Sequence, residues 1–162
     1  MRPLLGKIVN GKMILNPNGS IAEKCWREIP LHFPAATLDV YVLMPNHLHG
    51  IISIDNNLES PNAPLTSAGV YPRTKMLIPK IVQQFKASVT RKVRATLGDY
   101  SFDWQRSYYD HVVRNGRALD NIRHYIVNNP IKWQTEAEER NNEGKKMGEN
   151  REVWENNRRG EE

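Results

Sequence analysis

Cross-linking chemistry is almost absent from this chain of 162 residues: Cys25 is its one cysteine. That excludes an internal disulfide and any cysteine-rich zinc site, and it makes a reducing cytoplasm the natural setting. Long apolar runs are missing too. No stretch approaches the ~18 consecutive apolar residues that a membrane-spanning helix needs. The opening Met1-Arg2-Pro3-Leu4-Leu5-Gly6 has no extended apolar segment, so it does not read as a signal peptide. No internal repeat is visible, and the length favours one domain with a modest core. Cys25, flanked by Ala22, Trp26 and Ile29, reads as part of a packed helix face rather than as a nucleophile.

Acidic residues are scarce where it matters. Residues 1–134 hold 17 basic and 9 acidic side chains, a net of +8, and residues 135–162 hold 6 and 9, a net of −3, which together give the +5 of the whole chain. A basic body suits a polyanion such as nucleic acid. Between 75 and 94 there are six cations, Lys75, Lys80, Lys86, Arg91, Lys92 and Arg94, and no acid. Such a helix neutralises phosphates without reading sequence; an ordinary solvated face is the alternative. Arg106 is interleaved with Trp104, Tyr108 and Tyr109, which would either stack unpaired bases or line a core. Arg114 completes the candidate phosphate-contacting set.

Periodicity gives an α+β chain. Ile8-Val9 and Met13-Ile14-Leu15 flank Asn10-Gly11, a two-residue hairpin turn. Ser20, with Glu23 as capping-box partner, predicts a helix that ends at Glu28 before Pro30. Residues 38–43 and 47–54 read as an antiparallel hairpin around Met44-Pro45-Asn46. Residues 55–73 read as a loop, 76–97 as a helix stopped by Gly98, and 102–113 as an extended segment rich in aromatics. Asn115-Gly116 turns the chain into a last helix over 117–129, ended by Pro130. The polar stretch from Thr135 is expected to be a disordered tail or a solvated helix. The order of elements suits a sheet with its helices on one face.

His47-Leu48-His49 is the sharpest chemical feature. Residues two apart on a strand face the same way, so two imidazoles can meet one divalent cation. Ile51 and Ser53 share that face, while Leu48, Ile52 and Ile54 pack opposite. A pair of surface histidines is the alternative. Tyr125 and Asn129 lie four apart and share a helix face beside the stripe of Leu119, Ile122 and Ile126. A phenol is a weak nucleophile near neutral pH and needs an electrophile already polarised, as a metal on a phosphate would provide; otherwise Tyr125 is an amphipathic side chain at a core edge. His124 is expected to be solvated, His111 to be structural, and His32 carries no assignment.

Taken together, Met44-Pro45-Asn46-His47-Leu48-His49-Gly50, Gln84-Phe85-Lys86, the run from Trp104 to Arg114 and Tyr125-Ile126-Val127-Asn128-Asn129-Pro130 form a specific combination. It resembles the single-tyrosine HUH transposases (His, hydrophobic, His), in particular the REP-associated tyrosine transposase-like branch, over roughly residues 4–134. The resemblance implies a ferredoxin-like, RNA-recognition-like antiparallel sheet. It implies that His47, His49 and Asn129 ligate Mg²⁺ or Mn²⁺ and that Tyr125 is the nucleophile. The implied reaction cleaves and rejoins single-stranded DNA through a 5′-phosphotyrosine, guided by a DNA hairpin, in a homodimer for some relatives. Family members usually begin with a strand of the type aromatic-Phe-Val-Thr-hydrophobic. Nothing like it precedes Leu4, so the first strand is expected to be missing and the 38–54 hairpin to have an unpaired edge. Two other readings follow: an N-terminally truncated, non-catalytic DNA-binding remnant, and an RNA-binding module using the same sheet surface.

Overall fold

A computed structural model describes residues 3–55 and 77–159, with side chains described as far as residue 139. The loop expected over 55–73 falls, apart from Asp55, outside the described residues, as does Lys75. The chain is α+β. β1 (Gly6–Val9) and β2 (Lys12–Leu15) form one antiparallel ribbon, and β3 (Ala36–Leu43) and β4 (Leu48–Ile54) form another. The single larger sheet expected from the resemblance is thus represented, among the described residues, by two separate two-stranded ribbons. Asn10 (φ 50°) and Gly11 (φ 69°) both take the left-handed conformation that a type I′ turn requires, which fixes the first hairpin's register.

Helix α1 (Pro17–Arg27) starts one turn earlier than Ser20. Asn16 is the cap, its side-chain oxygen accepting from the Gly19 amide at 2.8 Å, and Pro17 occupies the first turn, where a missing N–H costs nothing. A single turn, α2 (Ile29–His32), follows across Pro30. α3 (Leu77–Leu97) ends at Gly98, whose φ of 64° suits glycine. The segment 102–113 is extended but pairs with no described strand. The Lys86 ammonium holds it instead, donating to the carbonyls of Gln105 (2.9 Å) and Ser107 (3.2 Å).

The last helix departs most from expectation. α4 runs from Gly116 to Arg159, straight through Pro130. Proline removes one intrahelical hydrogen bond, yet here it is buried and α4 packs along β3, β1 and β2, so tertiary contact outweighs the break. Asn115 caps the helix, accepting from the Ala118 amide at 2.8 Å.

The core lies between α1, α3 and one face of the β3–β4 ribbon. Trp26 stands edge-on to Phe85 (5.4 Å between ring centres) and tilts against Tyr41. Leu43, Ile81, Val89, Val93 and Phe102 are buried with them. Cys25 belongs to this core, and burial pushes its thiol above the usual range, which fits packing rather than nucleophilic use. No helix among the described residues is long and apolar enough to cross a membrane.

Candidate metal and tyrosine site

The turn between β3 and β4 is closed by the Met44 amide donating to the His47 carbonyl at 2.8 Å. Pro45 accepts from the amides of both Leu4 and Leu5, so the histidine turn is tied to the start of the described chain. Strand alternation does the rest. Leu48, Ile52 and Ile54 join the core, and so does the face of Gly50, where an added Cβ would stand 2.4 Å from the Trp26 ring. His47 and His49 therefore project from the opposite face, where α4 lies.

The two imidazoles converge. Their Nε2 atoms are 2.9 Å apart and their rings meet at 89°. Two nitrogens bound to one cation at ~2.1 Å and at a right angle stand about 3 Å apart, so this spacing fits adjacent positions on a single metal. His47 Nδ1 lies 2.7 Å from the Asn46 side-chain oxygen. With that nitrogen donating, Nε2 is left bare toward His49, the orientation that a hydrogen bond at the far ring nitrogen gives metal-binding histidines. Burial lowers both pKa values; with the adjacent charge of His49, it takes His47 down to about 4. Both rings are therefore neutral near pH 7, the form that ligates a metal.

Tyr125 reaches the same place from α4. Its ring stands edge-on to His49, 5.5 Å between centres, and remains 49% exposed. Asn129, one turn on, is only 6% exposed. Among the described residues no group of three His, Cys, Asp or Glu comes together as a metal cluster.

Two ties hold α4 in register. Arg123 donates through Nε (3.0 Å) and Nη2 (2.7 Å) to one carboxylate oxygen of Asp39 on β3. Gln134 accepts from the Gly11 amide at 2.6 Å, beside Ile131 packed on the hairpin tip. The helix that carries Tyr125 is thus fixed to the same chain's strands.

Sequence reasoning missed Trp133, which tilts against His47 at 5.7 Å, and Lys132, whose ammonium lies 5.9 Å from the Tyr125 ring centre. The spacing Tyr125-x7-Trp133 was the available signal, one helical face over two turns, but it counts only if the helix survives Pro130. The candidate DNA-contacting residues divide. Arg91, Arg94 and Arg106 gather with Lys86 around one groove. Lys92 instead pairs with Glu28 at 2.7 Å. Lys80 and Arg114 are exposed elsewhere. Trp104 packs against Phe85 and Phe102 and so joins the core, while Tyr109 is exposed. His111 and His124 are exposed as well.

Over 135 residues the chain is 42% identical to an uncharacterized protein of Haemophilus influenzae, a match that spans 81% of this chain and 74% of that one. The chain belongs to the same family as that protein. It is also similar to a second Haemophilus influenzae protein, named "Putative REP-associated tyrosine transposase": 29% identity over 101 residues, 62% of this chain and 52% of that protein. The match therefore spans about half the length of that second relative. No family model matches the sequence, and no solved structure matches it.

Proposed function

We propose that the chain is a metal-dependent single-stranded DNA strand transferase of the tyrosine transposase kind. One observation carries the reading: two neutral imidazoles with their Nε2 atoms 2.9 Å apart, and a phenol edge-on to one of them, come together from two distant parts of one chain. The similarity to the transposase-named relative supports it. His47 and His49 would hold the cation, with Asn129 the third protein ligand. Mg²⁺ and Mn²⁺ are the candidates, and two imidazoles suit Mn²⁺ better on ligand softness. When bound, the cation supplies Lewis-acid polarisation of a phosphate oxygen.

The chain's own residues supply the rest. The Tyr125 hydroxyl oxygen forms a bond to phosphorus, its proton leaves to solvent, the P–O bond to the 3′ oxygen breaks, and that oxygen takes a proton from solvent. The products are a 5′-phosphotyrosine and a free 3′-hydroxyl strand. A 3′-hydroxyl later attacks the same phosphorus and returns the tyrosine, so no external energy source is consumed. Tyr125 and the histidines are brought together within one chain here. A DNA hairpin is the recognition element we expect.

The test is incubation of hairpin-bearing single-stranded DNA with Mn²⁺ or Mg²⁺, followed by denaturing electrophoresis. A protein–DNA adduct that forms with the parent chain and vanishes in Tyr125→Phe and His49→Ala supports the reading. Adduct surviving Tyr125→Phe refutes the nucleophile. Hairpin binding with no adduct under either metal leaves a DNA-binding remnant as the function.

A further inference from the structure

We propose that the groove between α3 and the 99–107 segment is a second binding site, one that takes an unpaired nucleotide of a single nucleic-acid strand. It lies on the side of the β3–β4 ribbon away from the histidines. An unbroken row of rings, Trp104 to Phe85 to Trp26, leads from it to the underside of Gly50. The groove is open to solvent and has a volume of about 760 Å³, room for a nucleotide.

Its charge is the first argument. Lys86, Arg91, Arg94 and Arg106 line it against the single acid Asp103, a net of +3. Lys86 already donates to two carbonyls. Arg94 and Arg106 have no hydrogen-bond or ion-pair partner among the described residues, whereas Arg27, Lys92 and Arg123 each face a carboxylate. Two unpaired guanidiniums on one groove invite a bidentate anion, and phosphate matches their geometry.

Aromatic surface is the second argument. Tyr100 at the lip is 77% exposed beside the aliphatic floor of Ala87 and Ala95. A ring left in water next to free arginines is what base stacking on a single strand uses, since every base offers a flat face whatever its sequence.

The site rests on the nucleic-acid part of the proposed function but not on its chemistry, so it is tested without metal. Fluorescence anisotropy of a labelled oligothymidylate in EDTA, with salt varied between ~50 and ~200 mM, measures affinity and its salt slope. Each of Arg94→Gln and Arg106→Gln should shallow the slope by roughly 0.7. Tyr100→Ala should weaken binding about 5- to 150-fold. Lys7→Gln, an exposed cation on β1, should do neither. All four positions are on the surface, and unchanged circular-dichroism melts confirm folding. An oligouridylate arm distinguishes DNA from RNA as the strand; tighter binding of either, with the same variant pattern, supports the groove. Groove variants that bind like the parent, a Lys7→Gln loss as large as theirs, or equal competition by duplex DNA would overturn it. Adduct formation at saturating DNA reports on Tyr125 separately, so failure of one claim leaves the other standing.

Discussion

Strand β4 has two faces that follow different rules. On one, Gly50 and its neighbours Leu48, Ile52 and Ile54 meet Trp26 and Phe85 in close packing. On the other, His49 stands edge-on to Tyr125 and His47, just before the strand, tilts against Trp133, with the phenol half open to water. The packed face is apolar; the other carries two half-buried imidazoles that burial keeps neutral. A two-residue alternation thus keeps stability and chemistry on opposite sides of one backbone. Substitutions on the two faces should separate accordingly.

The largest expected effect is on the chemical face. Tyr125→Phe should remove all DNA adduct while leaving the melting temperature within about a degree or two, since the lost hydroxyl is at a half-exposed edge. A melt that collapses with the adduct would break the separation of the two faces. Next comes Trp26→Ala on the packed face. It empties the space under Gly50 and should cost about 3–5 kcal/mol in chemical denaturation. Activity retained at low temperature by that variant would sharpen the contrast.

Gly50→Ala sits between the two. Its Cβ would press on the Trp26 ring, costing about 1–3 kcal/mol of overpacking. Because Gly50 adjoins His49, metal affinity measured by calorimetry should fall as well, although no ligand has been removed. Asp39→Asn is the smallest. Arg123 donates to the Asp39 carboxylate and holds its pKa below the usual carboxylate range. The stabilisation is therefore present above the unfolded carboxylate pKa of about 3.9 and is lost as pH falls through the lower folded value. The parent should lose stability over that acid interval, and Asp39→Asn should flatten that part of the curve in urea melts taken from pH 5 downward.

Much of this was readable in advance where a signal is local. Asn10-Gly11 dictates its own turn, Gly98 its own stop, and the His47–His49 spacing its own shared face. The start of α1 was misplaced because Asn16-Pro17 and Ser20-x-x-Glu23 are both good starts, and only the packed Gly19 amide chooses between them. Signals that depend on distant partners were illegible. Nothing local tells that Lys86 pins the carbonyls of Gln105 and Ser107, or that Lys92 answers to Glu28 rather than to phosphate. Reading Pro130 as a terminator hid Trp133, because a residue beyond a helix end has no face to share with Tyr125.

Pro130 has a mechanical consequence too. Lacking an amide hydrogen, it leaves the carbonyl of Ile126 without its intrahelical donor, so α4 has one rung missing, between the phenol at 125 and the indole at 133. A rod is easiest to flex where a rung is gone. The ties on either side, Arg123 to Asp39 before the gap and Gln134 to Gly11 after it, then splint the weak point, so the tyrosine keeps its place because the strands, not the helix, hold the rod straight there.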